Sequence, residues 1–183
     1  PAMKPRRSGD TYTWQFRNLA AYYDKGYTPQ NGEGRPTLCA TTFTSTADAL
    51  SRIARTERDI VKVPGLARQS TDETLKAYAE YMGSYLGRSG VTPFMTGYRT
   101  RPAAEVLASA YGTDLEKCTL LARALTAEGI DAEVVAVYPA CHAVKMLRDI
   151  KSFAVAVTID GNTSYYSGSG AQLDLQLRSD RDE

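Results

Sequence analysis

The run YGTDLEKCTLLARALTAEGIDAEVVAV, residues 111–137, constrains the fold more than any other part of the chain. It reads as a glycine turn, an amphipathic helix, a second glycine and a strand rich in β-branched residues. The pattern predicts helix from about Asp114 to Glu128, with Gly129 as the residue just past its end. It predicts a strand over 130–139, stopped by Pro139. Cys118 lies one turn inside the helix. Whether it is an exposed nucleophile or a packed thiol decides which chemistry is open to the chain.

The same signals organise the remainder. TYTWQFRNL (11–19) has the aromatic and β-branched content of a strand, and YTPQNGEGRP (27–36) that of a loop or linker. TLCATTF (37–43) is short and extended. TSTADALSRIARTERDIVKV (44–63) opens with hydroxyl caps and puts Leu50, Ile53, Ala54 and Ile60 roughly on one helical face, before Pro64-Gly65 stops it. STDETLKAYAEYMGSYL (70–86) has Ser70 and Thr71 as caps, acids in its first turn, and Leu75, Tyr78, Ala79, Met82 and Leu86 at spacings of three and four. PAAEVLASAYG (102–112) is a short helix expected to end at Gly112. FAVAVTIDGNTSYYSG (153–168) reads as two strands around a DGN turn, and AQLDLQLR (171–178) alternates as a further strand. Helices followed by an antiparallel sheet make an α+β fold.

Composition excludes several classes. Charged residues make up 23% and the formal net charge is +1, so nothing points to nucleic acid as a partner. No apolar run approaches the roughly 18 residues of a membrane span. Cys39, Cys118 and Cys141 are an odd, widely spaced set, neither a disulfide framework nor a zinc pattern, and no cofactor is implied. The compartment stays open on cysteine usage alone.

The stretch PAAEVLASAYGTDLEKCTLLARALTAEGIDAEVVAV (102–137) resembles the central motif of the transglutaminase-like superfamily, the papain-like cysteine-dependent fold. In that motif a glycine turn leads to a catalytic cysteine at a helix start, and the histidine and aspartate come from the strands that follow. The resemblance is closer to a bacterial branch that places this domain after a large β-sandwich domain. YTWQFRNLAAYYDKGYTP (12–29) is similar to the closing segment of that upstream domain. The resemblance runs over roughly 11–170 and is specific over 98–161.

In register, Glu116, Lys117, Thr119, Leu120 and Leu121 fall on family positions without a gap. That register implies Asp114 at the nucleophile position and Cys118 at a small-residue position. IKSFAVAVTIDG (150–161) puts Ser152 where the base belongs, and TSYYSGSG (163–170) puts Ser167 where the orienting aspartate belongs. The chemistry needs a thiolate, an imidazole and a group holding that imidazole. Asp114 suits a helix N-terminus by about 0.3–1 kcal/mol but is a poor acyl-transfer nucleophile. Ser152 is no general base near neutral pH, and Ser167 has no imidazolium to stabilise.

Cys118 lies four residues past Asp114, about 6 Å deeper along the helix. Asp114, Cys118, Leu121 and Leu125 form one stripe, so the thiol is expected in the core. His142, the only histidine, stands beside Cys141 in YPACHAVKM (138–146). A relocated pair, 141 with 142 or 118 with 142, is the sharp reading, but adjacent residues rarely reach catalytic geometry. A loop histidine is the plain one. Tyr98, Arg99 and Arg101 in GYRTRP (97–102) line the groove if the family layout holds; otherwise they form a turn with solvated arginines.

These readings divide the chain into 1–3 (PAM, cloning residues), 4–36 (the tail of an upstream β domain and a linker), 37–178 (the transglutaminase-like domain) and 179–183 (the start of a further linker). The expectation is a module without its triad, leaning away from enzyme activity. It is structural or binds a peptide or glycan, beside flanking β domains, in a periplasmic or extracellular bacterial protein. The alternative is an active cysteine peptidase or acyltransferase using Cys118 or Cys141 with His142. A purely architectural spacer is a third possibility.

Overall fold

The computed structural model describes residues 4–19, 21, 42–54, 61–139 and 146–175. The chain divides into two compact units, Pro1–Ala40 and Thr41–Glu183. In the first, β1 (Arg6–Ser8) pairs antiparallel with β2 (Thr11–Thr13). The strand expected over 11–19 is therefore only its first three residues, and the hairpin partner lies before it. Arg7 covers the Tyr12 ring at 5.4 Å, and Tyr12 stacks on Trp14. With all six strand residues exposed, the stretch has no sheet face to continue it.

The second unit begins with α1 (Thr46–Ala54), where Ser45 Oγ accepts the Asp48 N–H at 3.0 Å. The helix expected to reach Val63 is not continuous, because Val61 and Val63 are buried in a non-helical segment before Pro64. α2 (Thr71–Tyr85) matches its expected span, with Ser70 Oγ accepting the Glu73 N–H. It buries Leu75, Tyr78 and Met82, with Leu86 following. β3 (Gly87–Arg88) runs parallel to β4 (Tyr111–Gly112), and between them lies α3 (Ala103–Ser109). α3 ends at Ala110, in the left-handed region at φ 56°, not at Gly112 as expected. Gly112 lies two residues further on, in the β4 bridge to β3, where a Cβ would crowd Val106 and Glu116 at 3.1 and 3.3 Å.

α4 (Asp114–Ala127) is the central element, packed between α2 and α3 on one side and the sheet on the other. Thr113 and Glu116 close a capping box at its start: Glu116 N–H donates to Thr113 Oγ1, and Thr113 N–H to Glu116 Oε2. At its end Gly129 (φ 81°) donates to Thr126 O and Ile130 to Leu125 O, a Schellman motif sealed by buried Leu125 and Ile130. The helix is buried almost all round, more than one apolar stripe predicts.

The sheet is antiparallel in the order β5 (Asp131–Val137), β6 (Ser152–Ile159), β7 (Asn162–Tyr166), β8 (Gln172–Leu173). β6 and β7 turn through Asp160 and Gly161, both at positive φ, where the DG dipeptide placed the hairpin. Phe153, Val155 and Val157 of β6 point into the core that α4 covers. β8 is two residues, shorter than the 171–178 strand expected. The fold is mixed α+β.

Candidate functional site

The capping box aims the first turn of α4 at the start of β6. Asp114, the first helical residue, turns its carboxylate across the gap, and Oδ2 accepts the Phe153 N–H at 3.1 Å. Ser152, next to Phe153, opens β6 opposite Val137 of β5. Asp114 and Ser152 both line a cavity of about 430 Å3, with the 88–94 segment, Tyr98, Arg148, Lys151 and Phe153. Two of the three positions that sequence reasoning singled out are thus brought together.

The third is close but turned away. Ser167 follows β7, and its Oγ accepts the Ser169 and Ala171 N–H groups at 3.3 and 3.2 Å. It does not line the cavity. Its neighbour Gly168 lies hard against α4: a Cβ there would stand 2.8 Å from Lys117 Cβ and 3.2 Å from Asp114 O. The turn therefore docks on the first turn of the helix while its hydroxyl serves its own backbone. Such a set holds a carboxylate and two hydroxyls, with no thiol and no imidazole among them.

Cys118 has no exposed surface, packed with Leu121 and Leu125 in the core. Burial pushes its thiol well above the usual range, and the Asp114 charge adds to this against a weaker opposing contact from the Gly168 N–H. A neutral, enclosed thiol is no nucleophile. Cys39, Cys141 and His142 lie outside the described residues.

Tyr98 lines the cavity at φ 60°, directly after Gly97 at φ 61°. Its N–H donates to Pro93 O at 2.7 Å, its hydroxyl to Leu147 O, and its ring meets Phe94 and Phe153 edge-on. Arg99 is exposed and off the cavity wall. Arg101, expected on the groove, is turned to Glu116 instead. Its Nε and Nη2 donate to the two carboxylate oxygens at 2.9 and 3.1 Å, its backbone N–H adds a third bond at 3.0 Å, and its guanidinium lies over Tyr111. Burial raises the Glu116 carboxyl, but the Arg101 side chain and the Thr113 and Arg101 amides outweigh it and hold the pKa at about 2. The pairing follows from burial, since Glu116 is only 5% exposed and an unpaired charge there would be costly.

Sequence reasoning passed over Arg88, Lys151 and the 88–94 segment. Their one signal is an apolar cluster, VTPFM, inside a glycine- and proline-marked loop. It placed Lys117 by register but gave it no role; the side chain is buried, and its Nζ donates to Leu86 O and Ser169 Oγ at 3.1 and 3.0 Å. Among the described residues no three His, Cys, Asp or Glu side chains are grouped to hold a metal ion.

No protein-family model and no curated protein matches the chain. A solved structure does: that of "a putative protease" from Parabacteroides distasonis, 29% identical over 86% of this chain, with a TM-score of 0.63. The chain has a protease-like fold. It spans 36% of that protein's length. Among the described residues no helix is long and apolar enough to cross a membrane.

Proposed function

We propose that this chain is a transglutaminase-like domain that has lost its catalytic residues and acts as a non-catalytic module. It holds a ligand in the cavity at the start of α4, within a larger exported bacterial protein. The observation that carries the reading is the Asp114 carboxylate, which occupies the cavity-facing helix start and is fixed on the Phe153 N–H. Cys118, the thiol nearest in sequence, is sealed in the core. Support also comes from the motif register across Glu116–Leu121 and from the fold shared with the protein described as "a putative protease". Removing a nucleophile and its base together typically forfeits several orders of magnitude in rate.

The test is turnover of fluorogenic peptide and acyl-transfer substrates by the intact chain, with Cys118→Ala, Cys141→Ser and His142→Ala beside it. The expected result is no turnover in any of the four. Turnover that disappears in Cys118→Ala, or in either of the other two, would establish a cysteine enzyme and end the non-catalytic reading.

A further inference from the structure

We infer that the cavity at the start of α4 and β6 takes an acidic peptide. A ligand carboxylate pairs with Arg88 and Lys151, and an apolar side chain packs on Phe94 and Tyr98. The inference rests on the non-catalytic binding role and names its ligand class.

Charge is the first argument. The cavity wall carries Arg88, Arg148 and Lys151 against a single carboxylate, Asp114. Arg148 is paired with Asp149 at 3.6 Å, and Asp114, held on the Phe153 N–H, offsets only one of the two remaining cations. Arg88 and Lys151 are exposed and have no carboxylate partner among the described residues. In a chain whose net charge is only +1, this cationic surplus is local. A half-enclosed wall of one sign focuses its field on a ligand of the other.

The apolar rim is the second. Val91, Phe94 and Met95 are 43%, 66% and 73% exposed, three large hydrophobics within five residues. Val91 and Phe94 line the cavity itself. Clustered exposure of this kind marks an interaction site.

Rigidity is the third. A tyrosine in the left-handed region costs on the order of 1–3 kcal/mol and persists only where its surroundings hold it. Here the Pro93 and Leu147 carbonyls and the Phe94 and Phe153 rings hold Tyr98. The cavity floor is therefore set before any ligand arrives, which favours affinity.

The shape selects peptide over glycan. Tyr98 meets Phe94 at 82° and Phe153 at 72°, so the three rings form a step and not a flat platform. A step receives a side chain, whereas a sugar ring needs a face. The volume of about 430 Å3 lies in the range of ordinary ligand sites.

The test uses the 183-residue chain and fluorescence anisotropy with labelled peptide pools. One pool pairs an internal Glu with Leu or Phe and has an amidated C-terminus. A second replaces Glu by Gln, and a third has Gln and a free C-terminal carboxylate. Polygalacturonate serves as an acidic glycan competitor. Expected is binding of a carboxylate pool roughly tenfold tighter than the neutral pool, weakened by salt. The first and third pools tell which carboxylate is read. The double variant Arg88→Gln/Lys151→Gln is expected to erase that preference, and Phe94→Ala to weaken every pool, with thermal melts confirming that both fold. Equal binding of neutral and acidic pools overturns the inference. So does indifference to Arg88→Gln/Lys151→Gln, displacement of all peptide by polygalacturonate with direct glycan binding, or no binding at all. Mass spectrometry of the same mixtures reads the other question separately, since cleaved peptide sinks the non-catalytic role even if the charge preference stands.

Discussion

Asp114 Oδ2 accepts the Phe153 N–H across 3.1 Å, tying the start of the central helix to the start of the central strand. The carboxylate serves two ends at once, as acceptor for a strand amide and as negative charge at a helix N-terminus. Asp114→Ala is expected to destabilise the fold by about 1–3 kcal/mol, from the lost charge-assisted bond and the lost dipole interaction. Asp114→Asn keeps an acceptor and is expected to cost less. Urea denaturation of the two variants checks the order, and equal stability of Asp114→Ala and the parent would break the tie.

The Arg101–Glu116 pair sets how the domain meets acid. Glu116 falls from the ordinary 4.5 to about 2 in the folded state, so the unfolded chain binds its proton first. Its contribution is complete above about pH 4.5 and is lost as the pH falls toward about 2, on the order of 3 kcal/mol in total. Glu116→Gln is expected to flatten that part of the stability profile while lowering stability at pH 7. Chemical denaturation of both proteins between about pH 2.5 and 6 compares the slopes. Parallel slopes would mean that the pair does not hold the proton off.

What the sequence made legible was local. Ser70, Gly129 and Asp160-Gly161 each act within a few residues, and each terminus or turn they mark lies where its pattern put it. The misplaced boundaries answer to contacts distant in sequence. α3 stops early because the next residues bridge to Gly87–Arg88, and the 11–19 strand stops because no sheet face supports it. Glu116 and Lys117 are placed only by motif register, and their burial depends on partners at Arg101, Leu86 and Ser169 that receive them. The same holds for the candidate site. Asp114 and Ser152 could be placed by register, whereas the hydroxyl of Ser167 and the cationic wall depend on how separate segments meet.

Cys118 is expected to resist modification while the fold is intact. With Cys39 and Cys141 changed to Ser, labelling by a disulfide reagent should proceed only through opening of the core, far slower than for a free thiol. The rate should still rise through about pH 8.5, because the opened thiol titrates as in an unfolded chain, but at every pH it should be lower by the small fraction of open core. Cys118→Ala is expected to fold, since the thiol acts as a small apolar group. Labelling as fast as that of a free thiol would contradict the enclosed position.

The SGSG turn supplies a sharper test of how the third site position is held. A Cβ on Gly170 would stand 2.0 Å from Ala79 O of α2, and the residue sits at φ 78°. Gly161 has the same φ but open space around it. Replacing either by Ala incurs the left-handed penalty of roughly 1 kcal/mol, whereas only Gly170→Ala must also push the turn off α2. Gly161→Ala is therefore expected to lower stability by about 1 kcal/mol, and Gly170→Ala by more than about 3 kcal/mol. Gly168, two residues earlier, docks the same turn on α4, so the loss is expected to spread to the first turn of that helix. Hydrogen exchange at Lys117 and Cys118 should accelerate in Gly170→Ala and stay unchanged in Gly161→Ala. Similar melting temperatures for the two variants would show that the turn is not clamped between the helices.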